Sequence, residues 1–451
     1  MKFLWMVPMV LTITLLPMMG EAKAGEKLML RFWDMEDIHD VYGQMIFGAH
    51  PLQHLGKAVG MPPMWVAYAE QASNDTLAVY GWSASREQLT LFRCFTRDGV
   101  TFEGGRAVFE DRSKQWLGSA CMVRLGGKGP LLLFSWGIGK DGKSGLYVFG
   151  SPEGEHWSVL NEGNPVFYDH DAFFVVWDEK KQMLINYQTT LQRWPKKYPD
   201  NIGDNLRRVL YILSSSDGIH WVTEKDLITP DSQDPPELEF YRLVAFPYAG
   251  RTAVLLRKYA PMPQNVNPRR ATTKHAPRFR DEWLFIREDG RWSRPFREMD
   301  ASPNMWTPNG PPLRVGGYLR FYDFGGNEIV GVPEDRLFYI TCHANGEFTT
   351  DRFIMPHSGL QLNVAASYVS RTQPIYNQAY VMVEILDAEQ GAPQGRVIEG
   401  FEKERCVLMD VDDLHYPLTW QGSDLSRLAG RAIRLRFYFR AARIYGVKES
   451  N

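Results

Sequence analysis

Ser216-Asp217-Gly218-Ile219-His220-Trp221 decides how this chain is read. It follows an apolar strand pattern, Val209 to Leu213, and sets an acid, a glycine and an aromatic within five positions. Asp caps a tight bend, Gly supplies positive φ, and the aromatic pins the next strand onto its neighbour. The same device stands at Thr96-Arg97-Asp98-Gly99-Val100-Thr101-Phe102 and at Ser151-Pro152-Glu153-Gly154-Glu155-His156-Trp157. Looser copies are Glu288-Asp289-Gly290-Arg291-Trp292 and Ala344-Asn345-Gly346-Glu347-Phe348. The acidic or amide positions are 98, 153, 217, 289 and 345, with spacings of 55, 64, 72 and 56. Five copies predict five units, and the turns read as structural rather than catalytic.

Outward from each turn, the pattern resolves into four short strands. The third unit runs through Ala172 to Trp177, Met183 to Gln188, Val209 to Leu213 and a strand opening at Trp221. The second runs through Ala120 to Arg124, Leu131 to Trp136, Leu146 to Phe149 and Trp157 to Leu160. Units one, four and five start near Trp65, Phe240 and Trp306. Four-stranded units repeating at about 40 to 70 residues, with no helical periodicity between them, are the mark of propeller blades.

Beyond residue 350 the pattern changes. Val381 to Leu386, Arg405 to Leu408 and Ala432 to Phe439 read as strands of another unit, the last alternating apolar and basic residues as a half-buried strand does. The expected fold is therefore all-β: a five-bladed β-propeller over 25–350 followed by a C-terminal jelly-roll-like β-sandwich over 351–451. With 14 Trp, 20 Tyr, 25 Phe and 39 Gly in 451 residues, composition leans the same way.

The first 24 residues stand apart. Lys2 precedes an apolar run from Phe3 to Met19, and Ala22-Lys23-Ala24 offers a small-x-small cleavage site, the pattern of a secretory signal. A secreted or periplasmic location is expected, with no membrane span in the mature chain. A net charge of −2 gives no general attraction to nucleic acid. Cys94, Cys121, Cys342 and Cys406 contain no CxxC pair, so they read as small buried hydrophobes.

These residues carry a resemblance. The repeated turn, above all Ser-Asp-Gly-Ile-His-Trp at 216–221, resembles the blade turns of the five-bladed glycoside hydrolase families 32 and 43 and their relatives. The stretches Val383-Glu384-Ile385-Leu386-Asp387-Ala388 and Ser423 to Arg431 resemble the sandwich appended to secreted bacterial members of that group. The resemblance implies a carbohydrate substrate or ligand and a pair of carboxyl groups flanking the scissile bond.

Strand direction selects the candidates. Inner strands of a propeller all start on one face, so carboxylates at their heads converge near the axis. Asp169-His170-Asp171 heads blade three; Glu237 and Glu239 head blade four. The resemblance makes Glu239 the general acid and Asp171 its orienter, with Asp169 as alternate. A third carboxylate belongs on blade one, but Trp65-Val66-Ala67-Tyr68 has none, and the family-32 signatures are missing. Asp37 in the preceding segment is the substitute. Each of these Asp residues has a plainer reading as a turn cap, and His170 one as a packing residue. Two basic, aromatic-containing loops on the same face, Gln192 to Arg208 and Arg257 to Arg280, nominate Arg207, Arg208, Arg257 and Trp194 for substrate binding beside His170, with an acidic or sulfated glycan in view. No spacing signals a transition metal and no cofactor is expected; a structural calcium ion is compatible with the carboxylates. The leading reading is hydrolysis of glycosidic bonds. Alternatives are a glycan-binding propeller that has lost its base, and a sialidase-like hydrolase.

Overall fold

The computed structural model describes residues 27–195, 202–203, 205–260, 278–287, 290–302, 308–367, 378–392 and 395–450. The expected leader at 1–24 lies outside the described residues, as do Trp306 and Asp289. The chain is all-β: strands are joined by turns and short 3-10 segments, and no α-helix occurs among the described residues.

Five sheets have four strands each, all pairs antiparallel. Blade one is Trp65–Ser73, Thr76–Ala84, Leu89–Thr96 and Phe102–Asp111. Blade two is Gln115–Arg124, Leu131–Ile138, Ser144–Ser151 and Ser158–Val159. Blade three is Phe173–Asp178, Met183–Arg193, Leu206–Ser215 and Val222–Ile228. Blade four is Glu239–Tyr248, Arg251–Ala260, Arg278–Ile286 and Trp292–Ser293. Blade five is Leu313–Val315, Tyr318–Tyr322 and Ile329–Pro333, completed by the N-terminal strand Gln53–Gly56.

Apolar packing closes these sheets into a ring. Tyr80, Trp82 and Leu91 of blade one share a core with Trp116, Met122 and Phe149 of blade two. Phe134, Phe173, Leu243 and Phe321 continue it through blades two to five. Leu313, Tyr322 and Ile329 of blade five then meet Val66, Val79 and Cys94 of blade one. Each sheet buries both faces against its neighbours, which is why a central strand such as Leu131–Ile138 is buried from Leu131 to Gly137 and apolar but for Ser135.

The repeated turns do the work expected of them. Asp217 Oδ1 accepts from the amides of Ile219 and His220, both at 2.8 Å, and Gly218 adopts φ 78°. Trp221 Nε1 donates to the Gly218 carbonyl at 3.1 Å, and its ring packs on Phe134 of blade two. Asp98 accepts from Val100 and Thr101 in the same way. The fifth copy differs. Asn345-Gly346 opens a sandwich strand, Asn345–Thr350, because blade five takes its outer strand from the N-terminus and needs no such turn.

Two six-stranded sheets form the sandwich. Leu362, Val364, Ile444 and Val447 of one pack against Val381, Val383, Phe437 and Phe439 of the other. Its strands come from both ends of the chain. Met29–Arg31 pairs with Arg443–Glu449, Ile38–Tyr42 with Asn345–Thr350, and Ile46–Ala49 with Phe338–Thr341. By pairing, the stretches 29–49 and 338–350 thus join the sandwich rather than the propeller. Local strand patterns cannot reveal this, because the partners are far apart in sequence. All four cysteines are buried and unpaired.

Candidate functional site

The inner strands of blades three and four begin on the same face and bring two acidic heads together. Asp169, His170 and Asp171 precede Phe173–Asp178, and Glu239 opens Glu239–Tyr248. Gln188, fully buried, donates to the carbonyls of His170 at 2.6 Å and Ala172 at 3.2 Å, fixing the first head. Thr189 Oγ1 donates to the Tyr241 carbonyl at 2.7 Å, tying blade three to blade four.

The carboxylates are treated differently. Asp169 is exposed, and Asp171 has a side chain 44% exposed. Its Oδ1 lies 2.9 Å from His170 Nδ1, which is also 3.1 Å from the Ala172 amide nitrogen. The contacts compete for one ring nitrogen: protonated, it donates to Asp171; unprotonated, it accepts from Ala172. The His170 hydrogen bond, against partial burial, holds the Asp171 carboxyl below its usual range. Asp169 accepts from the Tyr211 hydroxyl at 2.9 Å, and burial together with Asp169 drives that phenol's pKa upward.

Glu239 is fully buried. Its Oε2 receives Arg208 Nη1 at 2.8 Å and the Arg208 backbone amide at 3.2 Å. Arg208 is buried too, with Tyr241 and Tyr259 rings 5.2 and 5.4 Å from its guanidinium. Asp171 lies within the field of the same guanidinium. Arg207 is buried, donates to Gln192 Oε1 at 2.8 Å and sits 3.7 Å over the Trp194 ring. Trp194 in turn donates to the Pro236 carbonyl at 3.0 Å. Burial lowers the pKa of Arg207 and of Arg257, and Arg257 Nε reaches Asp281 Oδ1 at 3.4 Å.

Asp37 is not part of this group. Its Oδ2 accepts from the Arg31 amide at 2.7 Å and lies 3.5 Å from Arg251. Arg251 is paired with Tyr248, at the far end of the strand that Glu239 begins. Ten residues at ~3.3 Å each put the two ends about 30 Å apart. Asp37 therefore belongs to a second cluster, with Asp34, Glu36, Arg251 and Arg287, where the N-terminal segment meets blade four. Nor does blade one supply a substitute. The first carboxylate on its inner strand is Glu70, well below the head and held by Arg124 at 2.8 Å. A largely apolar groove, lined by Met29, Trp33, Tyr248 and Val447, also lies at the Tyr248 end, away from Asp171 and Glu239. Chemistry rather than depth singles out the opposite mouth.

Arg242 was not foreseen. The strand is irregular between Phe240 and Arg242, and the bulge aligns Arg242 with Arg257 and, one strand further, Asp281. The signal in the sequence is a lone cation ahead of an apolar run, Leu243-Val244-Ala245-Phe246. Among the described residues no cluster of His, Cys, Asp or Glu is arranged to hold a metal ion. Among the described residues no helix is long and apolar enough to cross a membrane.

A scan against protein-family models found no match, and neither did a search of curated sequences. Solved structures similar to this chain include a Bombyx mori family-32 β-fructofuranosidase in complex with sucrose. It is 10% identical over 88% of this chain and 93% of that one, with a TM-score of 0.39. An exo-β-1,3-galactanase from Phanerochaete chrysosporium with galactose is 8% identical over 89% and 100%, with a TM-score of 0.37. A family-43 enzyme from Xanthomonas citri complexed with xylotriose is 14% identical over 63% and 90%, with a TM-score of 0.38.

Proposed function

We propose that the propeller binds carbohydrate at the axial mouth formed by the heads of blades three and four, and that it holds the glycan without cleaving it. One observation carries this reading: the carboxylate in the acid's position, Glu239, is sealed beneath Arg208, while Asp169 and Asp171 are the open ones. Hydrolysis needs two carboxyl groups on either side of the bond, one of them able to deliver a proton to the leaving oxygen. A fully buried carboxylate bonded to a guanidinium does not reach that oxygen. An open carboxylate within the field of Arg208 and Arg242 suits sugar hydroxyls instead. The expected leader at 1–24 fits a chain exported to meet glycans outside the cytoplasm.

Hydrolysis is the second reading, and a specific observation favours it. Arg208 is bonded to Glu239 and lies within the field of Asp171, so the two carboxylates share one guanidinium. A swing of Arg208 would uncover Glu239. The deciding experiment is a glycan panel run twice, once for binding by calorimetry and once for release of reducing ends, with wild type beside Glu239→Gln. Retention without release supports binding. Release that disappears in Glu239→Gln supports hydrolysis. Neither binding nor release on any glycan overturns both.

A further inference from the structure

One guanidinium at the mouth is left over. Arg242 stands fourth on the inner strand of blade four, directly opposite Arg257. Arg257 is engaged by Asp281, which also accepts from the Ser302 hydroxyl. Arg242 has no hydrogen bond or ion pair with any described residue, and its Nε is buried without a partner. Buried donors are nearly always satisfied in folded proteins. A cation placed beside another cation with nothing to bind is a costly arrangement, and burial together with Arg257 lowers its pKa to about 10. At the head of the next blade Asn309 Oδ1 is likewise buried without a partner. The following residue, Gly310, lies so close to blade one that a Cβ there would sit 1.8 Å from the Val66 carbonyl oxygen. An open donor and an open acceptor thus stand at neighbouring blade heads around one axis.

We propose that Arg242 recognises an anionic substituent, a carboxylate or a sulfate, on the glycan held at the axial mouth. The planar fork of a guanidinium matches both groups. Arg257 is held by Asp281 while the adjacent Arg242 has no bonded counter-charge, so an incoming anion completes the pairing. Asp171, half-exposed and within the field of Arg242, accepts sugar hydroxyls and keeps the anion on the arginine side. This rests on the carbohydrate reading above and names its ligand class.

The test is calorimetric titration of the full chain with four probes: an oligogalacturonate, its carboxyl-reduced counterpart, a sulfated galactan oligosaccharide and its desulfated counterpart. Wild type is expected to prefer one anionic probe over its neutral partner by about tenfold or more, the strength of hydrogen bonds to a charged group. The arm showing that preference distinguishes carboxylate from sulfate. Arg242→Gln should erase the preference and leave the neutral affinity in place, while Arg242→Lys should restore only part of it. Equal wild-type binding of charged and neutral probes, or a preference that survives Arg242→Gln, overturns the assignment while leaving the binding site standing. If no probe and no other glycan binds, the carbohydrate reading itself falls. Should Arg242→Gln fail to fold by thermal melt, the salt dependence of wild-type binding decides, and an affinity indifferent to salt overturns the proposal.

Discussion

The two ends of the inner strand of blade four carry similar residues in opposite states. At the Tyr248 end, Asp34, Glu36 and Asp37 face Arg31, Arg251 and Arg287, and Ser293 adds a hydroxyl to Asp34 at 2.7 Å. Burial raises the pKa of Glu36 and Asp37, and Arg251 opposes that rise. Each carboxylate has a guanidinium within salt-bridge distance, and the cluster ties the N-terminal segment to the propeller. At the Glu239 end, one ion pair is as tightly matched, yet Asp171 stays open and Arg242 has nothing bonded to it. A protein can put carboxylates and guanidiniums anywhere it can pair them. At this mouth an exposed carboxylate and a guanidinium with no bonded counter-charge stand within each other's field.

The comparison can be broken most sharply at Arg208. Removing one member of a fully buried pair strands the other charge, so Arg208→Met should cost about 3–5 kcal/mol in denaturant unfolding. The double variant Arg208→Met with Glu239→Leu should recover most of that loss. If the single variant is as stable as wild type, Glu239 is not sealed and the binding reading weakens. At the other end Arg251→Gln should cost less, about 1–3 kcal/mol, because Glu36 and Asp37 keep 26% and 21% of their side-chain surface exposed and can draw on water. Glycan binding should be unaffected by that change.

A smaller effect is expected from acid. His50 sits in the seam between propeller and sandwich, 3.1 Å from the Tyr445 hydroxyl, while its carbonyl accepts from Trp283. Burial, with help from Arg443 and Arg336, lowers its pKa to about 4. A base with a depressed folded-state pKa takes up protons more readily unfolded, so its contribution is intact above about 6.5 and lost as pH falls towards 4. His50→Gln should flatten the stability profile in that window, read from melting temperatures between pH 7 and 4. An unchanged acid limb would show that His50 is not what couples the two units to pH.

Four blades were legible because each advertises its third turn with an acid, a glycine and an aromatic. The fifth was expected from near Trp306, but its outer strand was not legible, since Gln53–Gly56 reaches it from the other end of the chain and leaves no local mark. The Asn345-Gly346 copy satisfied the same local chemistry but belongs to the sandwich, so turn residues identify a bend and not the sheet around it. Asp171 and Glu239 could be brought to one face by strand direction alone. That logic did not extend to Asp37, whose segment pairs with the sandwich instead of entering a blade. Nor could it reveal that Arg208 covers Glu239, which depends on the third strand of blade three leaning over blade four.

The pairing of Met29 with Lys448 means that the whole ring is spliced between two halves of one sandwich. During synthesis, the earliest strands emerge with no permanent partner and must wait until almost the entire polypeptide has left the ribosome. Contacts so distant in sequence are slow to form and expose unpaired edges meanwhile. A nascent chain of this kind can complete its propeller once Ile329–Pro333 is made but its sandwich only at the end, and a chain cut short before Arg443–Glu449 would leave Met29–Arg31 without its partner.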